Sequence, residues 1–325
     1  MADSLADRVR ANLVLFGALA ANLGIGIAKF VAAAITGSSS MLSEGFHSCV
    51  DSLNQILLLY GQRQAKRPPD AAHPFGYGRE LYFWAFIVAL MIFALGAGLS
   101  VYEGWQHVIH PEPLKPPLVN YVVIALGLAL EGSSWFLAMR EFAQAKGEHG
   151  WWQTFRRSKD PAAFMVLFED SAAIIGLLFA ALGVWSSHAF QRPELDGYAS
   201  IAIGCLLAVV AGFLARESKG LLIGERADPA VVAEVYRLVD GHSAIVAVNH
   251  VRTIHTAPES VFVAISADFR DEMTMGEGER LIEEIERKLK AALPQLSSIY
   301  IRPEKREDAV IVAAPPAIEP PAARG

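Results

Sequence analysis

Apolar residues gather in six windows, at approximately 11 to 35, 39 to 60, 80 to 107, 118 to 139, 161 to 187 and 196 to 215. Each can supply the roughly 20 helical residues that a bilayer core requires. Lipid leaves backbone N–H and C=O groups no external partner, so the pattern predicts six transmembrane helices. The basic residues of the connectors set their direction. Arg8 and Arg10, then Arg63, Lys66, Arg67 and Arg79, then Arg140, Lys146, Arg156, Arg157 and Lys159, then Arg216, Lys219 and Arg226 fall on one side. Only Lys115 and Arg192 fall on the other, so both termini are expected on the cytoplasmic face. Lys29 lies toward the outer end of the first window, where its stem is expected to snorkel to the interface.

The pattern changes after residue 226. "DPAVVAEVYRLVDGH" offers Asp228 as N-cap, Pro229 at the first helical position, an apolar set at Val231, Val232, Val235, Leu238 and Val239, and Gly241 as a stop. "AIVAVNHVRTIHT" and "SVFVAISADF" read as strands, the second with Val261, Val263, Ile265, Ala267 and Phe269 at alternate positions. "GERLIEEIERKLKAAL" carries Leu281, Ile282, Ile285 and Leu289 on one helical stripe, and "SSIYIRP" closes as a strand. The order helix, strand, strand, helix, strand predicts a small α+β domain. The expected organisation is an N-terminal segment 1–10, a six-helix membrane domain 11–215, a linker 216–226, an α+β domain 227–306 and a disordered Ala/Pro-rich tail 307–325.

Composition agrees with a membrane protein carrying a soluble tail: 53% of the 325 residues are hydrophobic and 19% charged. The net charge of -6 and the lack of a long basic run argue against a nucleic-acid partner. Cys49 and Cys205 fit neither a disulfide framework nor a CxxC site and are expected to be packing residues. The start of the chain does not read as a cleaved signal peptide; that it does not read as an Arg/Ser-rich transit segment favours a bacterial inner membrane over an organelle.

One window is unlike the others. "SEGFHSCVDSLNQ", residues 43–55, brings Glu44, His47, Ser48, Asp51, Asn54 and Gln55 into an arc of about 120° on a helix. Cys49 points away from His47. A seam of helix-to-helix hydrogen bonds is the plainer reading. Yet an imidazole and two carboxylates are costly in a membrane, and more than such a seam requires. The fifth window adds Glu169 and Asp170, and the fourth adds Glu131, so three helices bring carboxylates to similar depth. One imidazole with several carboxylates suits zinc, with manganese, iron(II) or cobalt acceptable; thiolate-seeking Cu(I) is poorly served.

These residues carry a resemblance. "GSSSMLSEGFHSCVDSLNQILLL", the loop "HPFGYGRE" and "DPAAFMVLFEDSAAIIG", with six spans and a small tail domain, resemble the cation diffusion facilitator family. The resemblance is strongest to the subgroup of the animal mitochondrial zinc exporter. It implies a homodimeric secondary transporter that moves divalent metal out of the cytoplasm against protons by alternating access. The metal is then cargo, and no resident cofactor is expected. His47 and Asp51 match the family's His-x-x-x-Asp pair, and Asp170 matches its fifth-span aspartate, six residues before Gly176. Where most relatives place a further ligand this chain has Val166, and the resemblance passes that role to Glu169.

Competition for shared ligands gives antiport a physical basis. Metal binding needs a neutral His47 and ionised carboxylates, so protonation ejects the metal. Glu44, Glu131 and Asn54 are the supporting or proton-carrying candidates. Asp70 and His73 in the loop after the second window, and His250 in the tail, are candidates for secondary metal sites, with Ser266 and Tyr300 near the tail position. His242 and His255 read as surface histidines. An intramembrane metalloenzyme is a rival reading, but the chain lacks HExxH and a second imidazole in the membrane windows. A non-transporting sensor or scaffold that recruits a partner through the tail is a further rival.

Overall fold

A computed structural model describes residues 5–146, 159 and 161–309. The first four residues, the connector 147–158 with residue 160, and the tail beyond 309 lie outside the described residues. The expected tail disorder and the charges of Arg156 and Arg157 therefore fall largely outside them.

Six long helices form among the described residues: α1 (Leu5–Thr36), α2 (Ser39–Ala65), α3 (Glu80–Ile109), α4 (Leu118–Lys146), α5 (Pro161–Ala189) and α6 (Glu194–Ile223). Five of them are long and apolar enough to cross a membrane. The exception is α2, because the polar stripe that singles it out lowers its hydropathy. The last helix runs to Ile223, through residues read as the start of a linker.

These helices are inside out relative to those of a soluble bundle. On α1, Leu23, Ile27, Val31 and Ile35 recur every fourth residue and are exposed, whereas Lys29, Ala32 and Ala33 face inward. With no apolar driving force between helices in lipid, small residues and polar contacts hold the bundle. One close backbone-to-backbone contact joins α3 and α6. A Cβ on Gly104 would lie 2.6 Å from the Gly197 carbonyl oxygen, and one on Gly197 would lie 2.8 Å from that of Gly104. Backbone cannot yield as a flexible side chain can. We therefore expect Gly104→Val to lower the unfolding temperature in detergent, at a cost of ~1–3 kcal/mol for overpacking. Gly212→Ala, which meets nothing within 4 Å, is expected to leave it unchanged.

Two compact units emerge: residues Met1–Arg67 with Glu80–Lys219, and Pro68–Arg79 with Gly220–Gly325. In the second, α7 (Pro229–Asp240) starts as expected, with Asp228 Oδ1 accepting from the Ala230 N–H at 2.8 Å and proline opening the first turn. Strands β1 (Ile245–Ala257) and β2 (Ser260–Phe269) form an antiparallel hairpin. Helix α8 (Met275–Ala292) then crosses over so that β3 (Leu296–Pro303) lies parallel to β2. The alternation in β2 buries Val261, Val263, Ile265 and Ala267 against Val232, Val235 and Val239 of α7 and Leu281, Ile285 and Leu289 of α8. Helix α8 begins earlier than its apolar stripe does, because Thr274 and Glu277 form a reciprocal capping box.

Candidate metal site

Helix α2 is anchored before it presents anything. Gly37, with φ of 71°, turns the chain between α1 and α2. Ser38 Oγ then accepts from the Met41 N–H at 3.3 Å, and Ser38 Oγ and the Ser40 N–H both donate to Asp196 Oδ2, at 2.9 and 3.2 Å. Asp196, from the first turn of α6, thus offers its charge where α2's orphan N–H groups need an acceptor. Local sequence gives no sign of this partner, which lies more than 150 residues away.

So held, α2 turns its polar stripe inward. Glu44, His47, Ser48, Asp51 and Asn54 are buried, while Leu53 and Ile56 are exposed. His47 Nδ1 lies 3.5 Å from Asp51 Oδ1, one turn along the helix. Neither ring nitrogen of His47, nor Asp51 Oδ1, has a hydrogen-bond partner among the described residues. Leaving buried polar atoms unsatisfied is costly, so these donors suit a cation better than a closed hydrogen-bonded seam.

Helix α5 faces α2 through Glu169. Asn54 Nδ2 donates to Glu169 Oε1 at 2.7 Å. Asp170, about 100° further round the helix, turns to α4, where Ser134 Oγ donates to its Oδ2 at 2.7 Å. Glu131 of α4 is buried, and the carboxylates of Asp51, Glu131, Glu169 and Asp170 lie within electrostatic reach of one another. The expected residues thus come from α2, α4 and α5. They do not converge fully: among the described residues no three His, Cys, Asp or Glu side chains close into a metal-binding cluster. Asp51 and Glu169 approach from facing helices, and Asp170 lies outside that pair.

Two expectations fail in the membrane unit. Lys29 does not snorkel: it is fully buried, its ammonium donating to Glu44 Oε2 at 3.0 Å and to Ser48 Oγ at 2.7 Å. It stands seven residues, about 10 Å of helix, from the end of α1 at Thr36, which is too deep for its stem to escape. The pairing had a signal. Lys29 and Glu44 lie eight residues before and seven after Gly37, so antiparallel helices joined there bring them level. The cysteines are not core packing either, since Cys49 and Cys205 are both exposed on helix exteriors.

Of the secondary candidates, Asp70 is already engaged within its loop. Asp70 Oδ1 accepts from the N–H groups of Ala72 and His73 at 3.0 and 2.7 Å, and Oδ2 accepts from the Tyr77 hydroxyl at 2.6 Å. The Tyr77 hydroxyl, then the His73 N–H, hold its carboxyl below the usual carboxylate range. It organises the turn, with His73 Nδ1 3.5 Å away. On the sheet His250 lies opposite Ser266, but Ser266 Oγ donates to Glu304 Oε2 at 2.6 Å. Tyr300 lies opposite Ala264 with its ring against Phe262. His255, read as a surface histidine, is buried, while His242 lies 3.8 Å from Glu284 on α8.

Comparison with known proteins covers both units. A family model described as the cation efflux transmembrane domain matches residues 15–223, and one described as the cation efflux protein cytoplasmic domain matches residues 227–306. The chain is 34% identical over 243 residues to the proton-coupled zinc antiporter SLC30A9, mitochondrial, of Xenopus laevis, covering 74% of this chain and 44% of that protein. Identity to its Homo sapiens counterpart is 32% over 244 residues, 74% of this chain and 43% of that protein. Metal tolerance protein C4 of Arabidopsis thaliana is 31% identical over 244 residues, 73% of this chain and 52% of that protein. The chain spans about half the length of these curated relatives.

Proposed function

Because the chain belongs to the cation efflux family, we propose that it is a multi-pass membrane transporter, not an enzyme, that moves a divalent cation out of the cytoplasm in exchange for protons. Zinc is the leading cargo, as the names of its relatives suggest. One observation carries the reading: the buried His47 and Asp51 pair, with open donor atoms, on the α2 face that meets Glu169 of α5. A dication there would draw on one imidazole and on the carboxylates of Asp51, Glu169 and Asp170, oxygen and nitrogen donors suited to zinc. Each must shed its proton to bind, so low pH on the far side favours release.

Glu131 and Asn54 support this set, Asn54 by holding Glu169 toward α2. The basic connectors favour cytoplasmic termini. The domain at 227–306 serves a homodimer, in keeping with the cytoplasmic family model matched there. Its candidate His250, and Asp70 with His73 in the loop, are secondary to the membrane site.

Competition for flux tests the cargo. In proteoliposomes holding purified protein, labelled zinc uptake is expected to saturate and to be blocked best by unlabelled zinc, with manganese, iron(II) and cobalt weaker. Uptake no faster than in empty vesicles would overturn the proposal. Manganese as the strongest competitor would overturn zinc as the cargo.

A further inference from the structure

The ion pair between Lys29 and Glu44 has no task in that scheme, although both side chains are fully buried, with 3.0 Å between Nζ and Oε2. Removing two charges from water costs more than their attraction reliably returns, and well-packed apolar residues often replace such pairs without loss. Fastening α1 to α2 would therefore not need this chemistry. The neighbourhood also makes room for it. A Cβ at position 176 on α5 would collide with Glu44 Oε1. That oxygen of Glu44 has no hydrogen-bond partner among the described residues.

The location is informative. Glu44 lies one turn before His47 on the same inward face, and Ser48, which takes the other Lys29 hydrogen bond, is the residue after His47. The ammonium acts electrostatically on His47, Asp51 and Glu131 as well as on Glu44. From this geometry we infer that Lys29 is a tethered cation that sets the metal affinity of the transport site: its charge and that of Glu44 offset one another beside the seat of the cargo. The inference rests on the proposed function for the identity of that seat. Lys29 is a positioning residue that never touches the metal.

A dication senses the two members of the pair with opposite sign. Losing the ammonium leaves an extra carboxylate near the seat and tightens binding, while losing the carboxylate leaves a repelling cation and weakens it. At an effective dielectric near 20, a unit charge about two turns from a dication changes affinity by about tenfold or more. A fastener has no such asymmetry, because removing either half would damage the same contact in the same direction.

The test is the zinc Kd of the purified full chain at pH 8, from competition with a chelating dye, with the unfolding temperature recorded beside it. Lys29→Met is expected to lower Kd about tenfold and Glu44→Gln to raise it about tenfold. The double variant should shift it less than either, and Lys29→Arg should stay near the unaltered chain. If Lys29→Met yields no folded protein, Lys29→Gln, which can keep the bond to Ser48 without the charge, takes its place. Shifts of the same sign, or lower unfolding temperatures with Kd unmoved, would overturn the inference and leave a structural fastener. Unaltered protein that binds zinc but carries none would count against transport alone, and the Kd comparison would still decide the role of Lys29. Unaltered protein that binds no zinc would overturn both.

Discussion

Asp51→Ala is expected to lower metal flux at least about a hundredfold while the protein stays folded, since losing a ligand exceeds the 10–100-fold typical of losing a partner outside the ligand shell. Asp51 shares the buried face of α2 with His47, 3.5 Å from its ring, and faces the helix that carries Glu169. Alanine removes both a donor and the negative charge that offsets the cost of dehydrating a dication. His47→Ala should lose a comparable amount, because no second imidazole stands on this face of α2 to replace it. The size-exclusion profile and unfolding temperature separate a lost ligand from a lost fold. If Asp51→Ala transports within a few-fold of the unaltered protein, the metal binds elsewhere.

The second large effect concerns the adjacent carboxylates of α5. The resemblance, matched six residues before Gly176, implies Asp170 as the ligand, whereas the geometry turns Glu169 to α2 and gives Asp170 to Ser134 on α4. We expect Glu169→Gln to weaken zinc binding at least about tenfold, since it removes the α5 charge that faces Asp51. Asp170→Asn should weaken it less, because the amide oxygen can still accept from Ser134 and keep α4 and α5 in register. The reverse order, with Asp170→Asn inactive and Glu169→Gln near normal, would show that Asp170 leaves Ser134 to bind metal and that spacing is the better guide. Equilibrium binding on both variants, alongside flux, decides between them.

These differences mark where local pattern stops informing. Apolar windows and tail alternation report burial against lipid or a core, so helix order, the two strands before α8 and the polar stripe of α2 were legible in sequence. That Lys29 meets Glu44 across the turn at Gly37 was not legible, because snorkelling is judged on one helix while pairing needs two. Asp196, which holds the start of α2, gives no periodic signal. Cys49 and Cys205 read as packing residues because apolar surroundings do not distinguish a protein interior from lipid. Which way Glu169 and Asp170 turn depends on Asn54 and Ser134 on neighbouring helices, which spacing within α5 cannot encode.

Zinc and protons followed together in the same proteoliposomes test the central claim most directly, with a fluorescent zinc indicator and a pH indicator both inside the vesicles. Metal and protons competing for His47, Asp51 and the α5 carboxylates predict that zinc entry drives proton exit and alkalinises the lumen. An acid lumen should then speed zinc entry, and Asp51→Ala should abolish both signals. Zinc entry that is indifferent to the pH gradient and to a proton ionophore, with no proton movement, would contradict exchange at this site and point to a channel.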